Sequence, residues 1–574
     1  MMNIRKYFIL GTFGVLSSIG SHIYAAEKPC GKFLDRIILK FNTVSSVNKP
    51  DLGVRFWNTF SNESELPIQS IKPMPSGAYL VMVDSEKLKK ISTTKNLSKN
   101  DYFHQVIAQL LKRSDVKYAD RDFTLCPIRP SDITKKGSPL ETSNLVLISH
   151  ASQWDEFNGP GGVFLESSPG SLDGAWAITL GYANPPIVLT NFEAINSNAD
   201  LNPNLLSPGW SFVKNSTNTT DPSEDHGTHT AGTIAATGSI SGIAGMGPML
   251  KILPVEVEIT ASGIETGIYW AMGRNVYGVP HNNYPAKVIS MSFRNTLEVG
   301  CPVSLQEAID TFIHDNNGTI TVSAGNDDEP ASNNPPRSCS NVFVVAATQI
   351  NGFRAEYSNY GPRVTLAAPG GEQQKGGACD AGGILSTVST NTGCQNSGFS
   401  FYQGTSMATP HVAGIAGLIY ALIPNISSQE VKNILLESVM PFGTTTDPER
   451  SCKGVKSCGI GIVNANNAVQ LAISGRTIIA APSPTDLELQ SSYDPFNRCP
   501  LNKYVPTVQS LASPIASKWI ISKPTRACQI LEVYENPKLQ VNGQQLKVTY
   551  GKTVLTLQTP GLTCQVNNSH GFIC

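Results

Sequence analysis

Residues 144–472 alternate short apolar segments with amphipathic ones, and this alternation constrains the fold more than any other feature of the sequence. Four segments have the length and composition of buried strands: ILPVEV (252–257), KVISMS (287–292), TITVSAG (319–325) and NVFVVAA (341–347). Segments with helical periodicity lie between or after them, such as SLQEAIDTFIHDNNG (304–318) and SQEVKNILLESV (428–439). This pattern predicts an α/β fold, with a parallel sheet covered by helices on both faces.

The length of 574 residues predicts further domains, because single cores rarely exceed about 250–300 residues. Residues 27–128 combine strand-like segments with one amphipathic helix, YFHQVIAQLLKR (102–113), and are interpreted as a small α+β domain. A polar, proline-containing stretch follows, and we assign residues 129–150 to an exposed linker before the domain 151–472. Residues 476–574 lose helical periodicity and contain turn signals and four cysteines, which predicts a β-rich, disulfide-containing domain.

The first 26 residues have the pattern of a secretory signal peptide. Arg5 and Lys6 precede an apolar run, and the small residues Ala25 and Ala26 follow it. A membrane anchor is the alternative, but the run is short for a span and is interrupted by glycines. We therefore expect an extracellular or periplasmic protein without a membrane span once the signal is removed.

Charge and cysteine content narrow the class of partners. The formal net charge is −1 and 15% of the residues are charged, which argues against nucleic acid or an anionic membrane surface as the main partner. Twelve cysteines in an exported chain predict disulfides. The chain lacks the CxxC spacing that would suggest a zinc site. Local pairs are Cys301/Cys339, Cys379/Cys394 and Cys452/Cys458, while Cys30 and Cys126 bracket the first domain.

Three short stretches combine into a chemical pattern. DHGTHTAGTIAA (225–236) places a histidine at the start of a helix of small residues, and SAGND (323–327) ends a strand with an asparagine. GTSMATPHVAGIAGLIYAL (404–422) places Ser406 where a loop becomes a helix, so that the positive end of the helix dipole can stabilise a developing oxyanion. Each stretch alone has a structural explanation, but together they predict nucleophilic catalysis.

These stretches closely resemble the motifs of the subtilisin-like serine proteases, the subtilases, over roughly residues 150–470. The resemblance implies the three-layer subtilase fold, with His226 as general base, Ser406 as nucleophile and Asn326 as oxyanion donor. His229 is then a structural neighbour. The first domain is similar to a subtilase propeptide, which acts as folding chaperone and inhibitor.

One position departs from the family pattern. In subtilases the acid of the triad lies at the end of a strand that corresponds to IVLTNFEAI (187–195) in this chain. Alignment on Asp200 places Asn191 at the position of that acid. An asparagine cannot offset the charge of an imidazolium, and losing this acid costs about 10⁴-fold in turnover. We favour a true Asn191 substitution with reduced activity. Glu193 is a substitute acid that would share a face with Asn191 on a continuing strand, and Asp225 is a third option.

A second departure concerns the substrate groove, to which the resemblance assigns Ser292, Phe293, Arg294, Ser323, Ala324 and Gly325. After Ser292 the family has a leucine and two glycines, whose bare backbone receives the substrate as an added strand. Phe293, Arg294 and Asn295 stand there in this chain. We expect their side chains to narrow the groove or to change its preference, with Arg294 either selecting acidic side chains or blocking.

These observations leave three hypotheses: a secreted, self-processing serine endopeptidase, a catalytically impaired relative acting by binding, and an inert scaffold. We choose the first, because a scaffold has no physical need for His226, Asn326 and Ser406 in full motif context. The expected partners are a polypeptide substrate and the chain's own propeptide. The chemistry requires no cofactor, and no acidic loop is distinctive enough to assign the structural calcium that is common in the family.

Overall fold

The computed structural model describes residues 31–42, 60–62, 64–127, 152–167, 174–238, 242–294, 300–331, 334–374 and 377–474. Beyond residue 506 it describes only the backbone of short strands. The predicted signal segment (1–26) and linker (129–150) lie outside the described residues. The first domain is described as far as Pro127. The predicted domain boundaries therefore stay predictions.

Within the range 31–127, the described residues include a four-stranded antiparallel sheet and two longer helices. The strands are β1 (Phe33–Phe41), β2 (Ile68–Pro73), β3 (Tyr79–Val83) and β4 (Val116–Phe123), in the order β2-β3-β1-β4. The helices are α1 (Ser85–Thr94) and α2 (Lys99–Leu110), which begin at the side-chain caps Asp84 and Ser98. A two-residue strand, β5 (Cys126–Pro127), follows β4 and leaves this sheet. We call residues 31–127 the N-terminal unit.

The larger unit contains the alternation seen in the sequence. Its strands are β6 (Val188–Thr190), β7 (Trp210–Ser211), β8 (Lys251–Ile252), β9 (Val255–Glu256), β10 (Val288–Met291), β11 (Phe293–Arg294), β12 (Thr319–Ser323), β13 (Phe343–Thr348), β14 (Leu366–Pro369), β15 (Ile384–Thr387) and β16 (Phe399–Tyr402). Its helices are α3 (His226–Ala235), α4 (Ala261–Ala271), α5 (Val303–Asp315), α6 (Thr405–Leu422), α7 (Ser428–Glu437) and α8 (Ala465–Ile473).

Six of these strands form a central parallel sheet in the order β14-β13-β12-β10-β6-β8. Consecutive residues of β10 belong to cores on opposite faces of the sheet. Val288 lies in the core that includes residues of α3, α6, α7 and α8, whereas Ile289 lies in the core that includes residues of α4 and α5. The predicted α/β fold with helices on both faces of a parallel sheet is confirmed. Because the strands are parallel, the residues that follow β6, β10 and β12 meet at one edge of the sheet.

Local expectations hold to different degrees. A capping box of Ser427 and Glu430 is present at the start of α7. ILPVEV was wrong as one strand, because the chain divides at Leu253–Pro254 into β8 of the central sheet and β9, which pairs with β7. A proline offers no N–H to a ladder, which explains the division.

The three predicted local disulfides are present: Cys301–Cys339, Cys379–Cys394 and Cys452–Cys458. Cys126 is also disulfide-bonded. Within the described part of the chain, no helix combines the length and the apolar composition that crossing a membrane would require.

The last part of the chain contributes antiparallel strands whose side chains are outside the description. They are β17 (Thr507–Gln509), β18 (Lys518–Thr525), β19 (Cys528–Glu535), β20 (Lys538–Asn542), β21 (Gln545–Tyr550), β22 (Thr553–Gln558), β23 (Gln565–Val566) and β24 (Phe572–Ile573). They pair as β17-β18-β19, β20-β21-β22 and β23-β24.

Candidate active site

His226 is the first residue of α3 and is 4% exposed. Its Nδ1 lies 2.5 Å from Oε1 of Glu193, which is also buried. An ionised carboxylate can only accept a hydrogen bond, so this contact places the ring proton on Nδ1 and the lone pair on Nε2. That is the tautomer a general base needs.

Asn191 follows β6 and has other partners. Its Nδ2 donates to the Gly227 carbonyl oxygen at 2.7 Å and to Thr230 Oγ1 at 2.9 Å. Its Oδ1 accepts from the Glu193 backbone N–H at 3.4 Å. The structure thus brings Glu193, rather than Asn191, to His226 Nδ1. The favoured interpretation of the sequence, with an amide in the place of the acid, is not the arrangement observed.

The route by which Glu193 reaches the histidine also differs from expectation. A continuing strand would place Glu193 on the face of Asn191, but β6 ends at Thr190 and Phe192 has a φ of 64°. A bulky residue in the left-handed region is uncommon, and it turns the chain sharply. This turn, rather than strand alternation, aims Glu193 at α3.

Asp225, the third candidate acid, forms hydrogen bonds with a different loop. Its Oδ1 accepts from the Ser389 backbone N–H at 2.8 Å and from the Ser389 hydroxyl. Its Oδ2 accepts from Thr392 Oγ1 at 3.2 Å. These contacts direct the Asp225 carboxylate to residues 389–392.

Ser406 is the second residue of α6 and is 1% exposed. Asn326 is bound to the residue before it: Asn326 Oδ1 accepts from the Thr405 N–H at 2.9 Å and from Thr405 Oγ1 at 2.8 Å. Asn326 Nδ2 is buried and has no hydrogen-bond partner among the described residues. An amide held by its oxygen, with a buried N–H₂ beside the start of a helix, is suited to receiving an oxyanion.

Gly404 makes this approach of Asn326 feasible. Its φ is 148°, which L side chains rarely adopt, and a Cβ there would lie 3.1 Å from Asn326 Nδ2. A glycine two residues before Ser406 therefore keeps the donor group accessible.

The predicted groove residues lie at the same sheet edge. Ser292 Oγ donates to the Ser406 carbonyl oxygen at 3.3 Å, and Ser323 Oγ donates to the Phe293 carbonyl oxygen at 3.3 Å. The Ala324 carbonyl accepts from Arg337, and the Gly325 N–H donates to Thr405 Oγ1 at 3.1 Å. These contacts connect the ends of β10 and β12 to the start of α6.

The groove accepts a strand despite the missing glycines. Strand β5 pairs antiparallel with β11, with Phe293 opposite Pro127 and Arg294 opposite Cys126. Two residues earlier, the Leu125 N–H donates to the Ile259 carbonyl oxygen at 2.7 Å. The Phe293 side chain is fully buried and does not narrow the groove against this segment. The selection of acidic residues by Arg294 stays a prediction, since its side chain is outside the description.

Residues 124–127 are the part of the site that sequence reasoning missed. The alternation of polar and apolar residues in VKYADRDF (116–123) is typical of a strand that ends near Phe123. Nothing in TLCP (124–127) indicates pairing with a segment about 170 residues later. The roles of Thr405 and Thr230 were also missed, because each depends on a contact distant in sequence.

His229 has a structural environment. Its Nε2 donates to the carbonyl oxygens of Ile384 and Ser400 at 3.1 and 3.0 Å, and its ring stacks on Tyr402 with centroids 4.3 Å apart. Complete burial lowers the pKa of His229 to about 3, so the ring is neutral at physiological pH. Among the described residues, no group of three or more His, Cys, Asp or Glu side chains is placed to hold a metal ion.

Comparison with known proteins places this geometry in context. The sequence profile of the Subtilase family matches residues 190–469, which include all the residues at this sheet edge that come from the larger unit. The chain is 35% identical over 314 residues to the "Extracellular protease" of Xanthomonas campestris pv. campestris, covering 49% of this chain and 50% of that protein. The chain thus spans about half the length of this relative.

In two further comparisons, the aligned region covers most of the length of the similar protein. Subtilisin Savinase of Lederbergia lenta is 31% identical over 284 residues, which is 48% of this chain and 87% of that protein. Among solved structures, fervidolysin from Fervidobacterium pennivorans, described as a keratinolytic enzyme related to subtilisin, aligns with a TM-score of 0.51 and 17% identity. That alignment covers 91% of this chain and 71% of fervidolysin, and at this identity the likeness concerns the fold.

Proposed function

Since this chain belongs to the subtilase family of serine proteases, we propose that it is a secreted serine endopeptidase with Ser406 as nucleophile and His226 as general base. The observation that carries the proposal is the 2.5 Å contact between Glu193 Oε1 and His226 Nδ1. It supplies the carboxylate that the sequence lacks at Asn191.

The proposed reaction assigns one role to each of these groups. Ser406 Oγ attacks the carbonyl carbon of the substrate, and His226 Nε2 takes its proton and later gives it to the leaving amine. Asn326 Nδ2 donates to the oxyanion that forms, supported by the positive end of the α6 dipole. Glu193 holds the imidazole in the required tautomer and offsets the charge of the imidazolium.

Glu193 also bears on the level of activity. A buried charge-assisted hydrogen bond to the histidine is the interaction whose loss costs about 10⁴-fold in related proteases. With Glu193 in this place, the reason for expecting reduced activity disappears. The alternative of an impaired binding protein rested on Asn191 and Arg294, and the contact of Glu193 with His226 removes the first of these two supports.

We further propose that the N-terminal unit is the propeptide of this protease. Its residues 124–127 occupy the groove between residues 259–260 and β11 as a substrate strand would. The predicted signal peptide and the extracellular relative support secretion.

The test is covalent labelling of the secreted protein with a fluorophosphonate probe, which reacts with activated serines. We expect labelling of the wild type and none of Ser406→Ala. Hydrolysis of an unstructured peptide should be abolished by the same substitution. Labelling that survives in Ser406→Ala, or a wild type that neither labels nor hydrolyses after removal of the N-terminal unit, would contradict the proposed function.

A further inference from the structure

The side chain of Asn191 is held by two groups that both require a hydrogen-bond donor. The Gly227 carbonyl oxygen, 2.7 Å from Nδ2, can only accept. Thr230 Oγ1, 2.9 Å from Nδ2, already donates its proton to the Gly227 carbonyl oxygen at 3.2 Å. Position 191 therefore faces two oxygen lone pairs, and an amide N–H₂ matches both.

The other end of the same side chain acts on the neighbouring acid. Asn191 Oδ1 accepts from the Glu193 backbone N–H. One amide thus connects the end of β6 to the first turns of α3 and to the residue that contacts His226. Asn191 is 1% exposed, so water does not substitute readily for these bonds.

Phe192 fixes the turn between the two residues. Its φ of 64° lies in the left-handed region, and its ring is fully buried in the core formed with α4. A Cβ on Gly267 of α4 would lie 3.3 Å from Phe192 Cζ, and the Phe192 carbonyl accepts from the Val257 N–H at 3.4 Å. Burial of the ring holds a backbone conformation that phenylalanine does not favour.

The turn brings Glu193 directly over the start of α3. A Cβ on Gly227 would come within 2.6 Å of Glu193 Cβ, so the absence of a side chain at Gly227 provides the space for Glu193. The Glu193 carboxylate then reaches His226 Nδ1 from a position two residues beyond the family's acid.

We propose that the acid function of this protease has moved from position 191 to Glu193, and that Asn191 and Phe192 are positioning residues that hold Glu193 against His226. The inference rests on the proposed endopeptidase function. The proposal predicts that an aspartate at position 191, the family's acid position, lowers activity. A carboxylate there would face the Gly227 carbonyl oxygen at hydrogen-bond distance, and no proton would lie between the two oxygens.

The experiment compares kcat and KM of the mature enzyme on an unstructured peptide. We expect Asn191→Asp to lower kcat by at least tenfold with little change in KM, and Glu193→Gln to lower kcat by about 10³- to 10⁴-fold. The double variant Asn191→Asp/Glu193→Gly also removes the carboxylate that contacts His226, so we expect its kcat to lie below that of Asn191→Asp. A double variant more active than Asn191→Asp would contradict the placement of the acid at Glu193.

A matched pair at position 192 tests the turn separately. Phe192→Asn and Phe192→Val both remove the ring, but asparagine tolerates the left-handed region and a β-branched valine does not. We expect kcat of the asparagine variant to exceed that of the valine variant. Thermal unfolding of each variant shows whether it is folded, and Glu193→Gln tests the acid function if Asn191→Asp does not fold.

Opposite outcomes would overturn the inference. An Asn191→Asp enzyme with raised kcat together with a silent Glu193→Gln would return the acid function to position 191. Equal kcat in the two Phe192 variants would remove Phe192 from the proposal. In both cases Ser406→Ala stays inactive, so failure of this inference is distinguishable from failure of the proposed protease function.

Discussion

Thr405 shows how a single hydroxyl sets the direction of the oxyanion donor. It accepts from the Gly325 N–H at 3.1 Å and donates to Asn326 Oδ1 at 2.8 Å. The Thr405 backbone N–H donates to the same Asn326 oxygen. Two donors on Oδ1 prevent the amide from flipping, because a flipped N–H₂ would face both of them.

We predict that Thr405→Val lowers kcat by roughly 10- to 100-fold, less than the ~10²–10³-fold cost of losing an oxyanion donor outright. Valine keeps the volume but removes the hydroxyl that orients Asn326. Thr405→Ser keeps the hydroxyl and should stay within a few-fold of the wild type. Steady-state kinetics on one peptide substrate measures both, and equal losses in the two variants would contradict this role.

At the scale of elements, the N-terminal unit closes the starts of two helices of the larger unit. Asp122 accepts from the N–H and the hydroxyl of Ser262 in the first turn of α4, at 3.1 and 2.7 Å. Asp120 accepts from the N–H of Ser304 in the first turn of α5 at 2.7 Å. Carboxylates at these positions satisfy orphan donors and complement the helix dipoles. This docking places β4 so that residues 124–127 enter the groove.

The register of β5 on β11 predicts the position of self-cleavage. Phe293 is opposite Pro127, and an antiparallel register advances by one residue on each strand. Ser292, the residue before Phe293, is therefore expected opposite Ile128, and its hydroxyl donates to the Ser406 carbonyl oxygen. We therefore expect the first cut at the peptide bond that follows Ile128.

Mass spectrometry of the secreted protein tests this position. The expected mature N-terminus is Arg129, and Ser406→Ala should leave the bond intact. A first cut more than two residues away, or the same cut in Ser406→Ala, would contradict the register or the self-processing.

At the scale of the whole molecule, the contact between the two units buries an acid of the larger unit. Glu265 of α4 is fully buried, and its Oε1 accepts from Ser76 Oγ of the N-terminal unit at 2.6 Å. Its Oε2 has no hydrogen-bond partner among the described residues. Burial, reinforced by the nearby carboxyls of Glu307, Asp120 and Asp122, raises the pKa of Glu265 from 4.5 to about 8. Burial also raises the pKa values of Asp120 and Asp122.

These shifts predict that the cut N-terminal unit dissociates more readily as the pH rises. The assembled state favours protonated Glu265, whereas release exposes the carboxyl to water and returns its pKa toward 4.5. Its contribution to assembly is therefore complete below about pH 4.5 and is lost as the pH rises through about 8. Over this window the dissociation constant should rise by up to about tenfold per pH unit for one proton released.

Size-exclusion chromatography of the cut protein between pH 5 and pH 8 measures this dependence. Glu265→Gln cannot ionise, so it should retain the N-terminal unit at pH 8 and flatten the upper part of the profile. Any remaining dependence should come from Asp120 and Asp122, whose pKa values burial also raises. Identical profiles for wild type and Glu265→Gln would refute the role of Glu265.

The sequence alone determined the parts of this protein that local pattern encodes. His226, Asn326 and Ser406 could be named because each lies in a contiguous string whose residue types serve one purpose. The parallel sheet could be predicted because strands buried on both faces are apolar throughout, and this periodicity survives any detail of packing. The three local cysteine pairs likewise followed from short separations in an exported chain.

The tertiary structure decided which carboxylate meets His226 and what occupies the groove. The first depends on the left-handed backbone of Phe192, which is held by a core that residues distant in sequence complete, so strand alternation gave the wrong route to Glu193. The second depends on Asp120 and Asp122 docking on α4 and α5, which directs residues 124–127 to β11. Neither is a property of a local segment, because each conformation is stabilised only by contacts that form when the separate parts of the chain pack together.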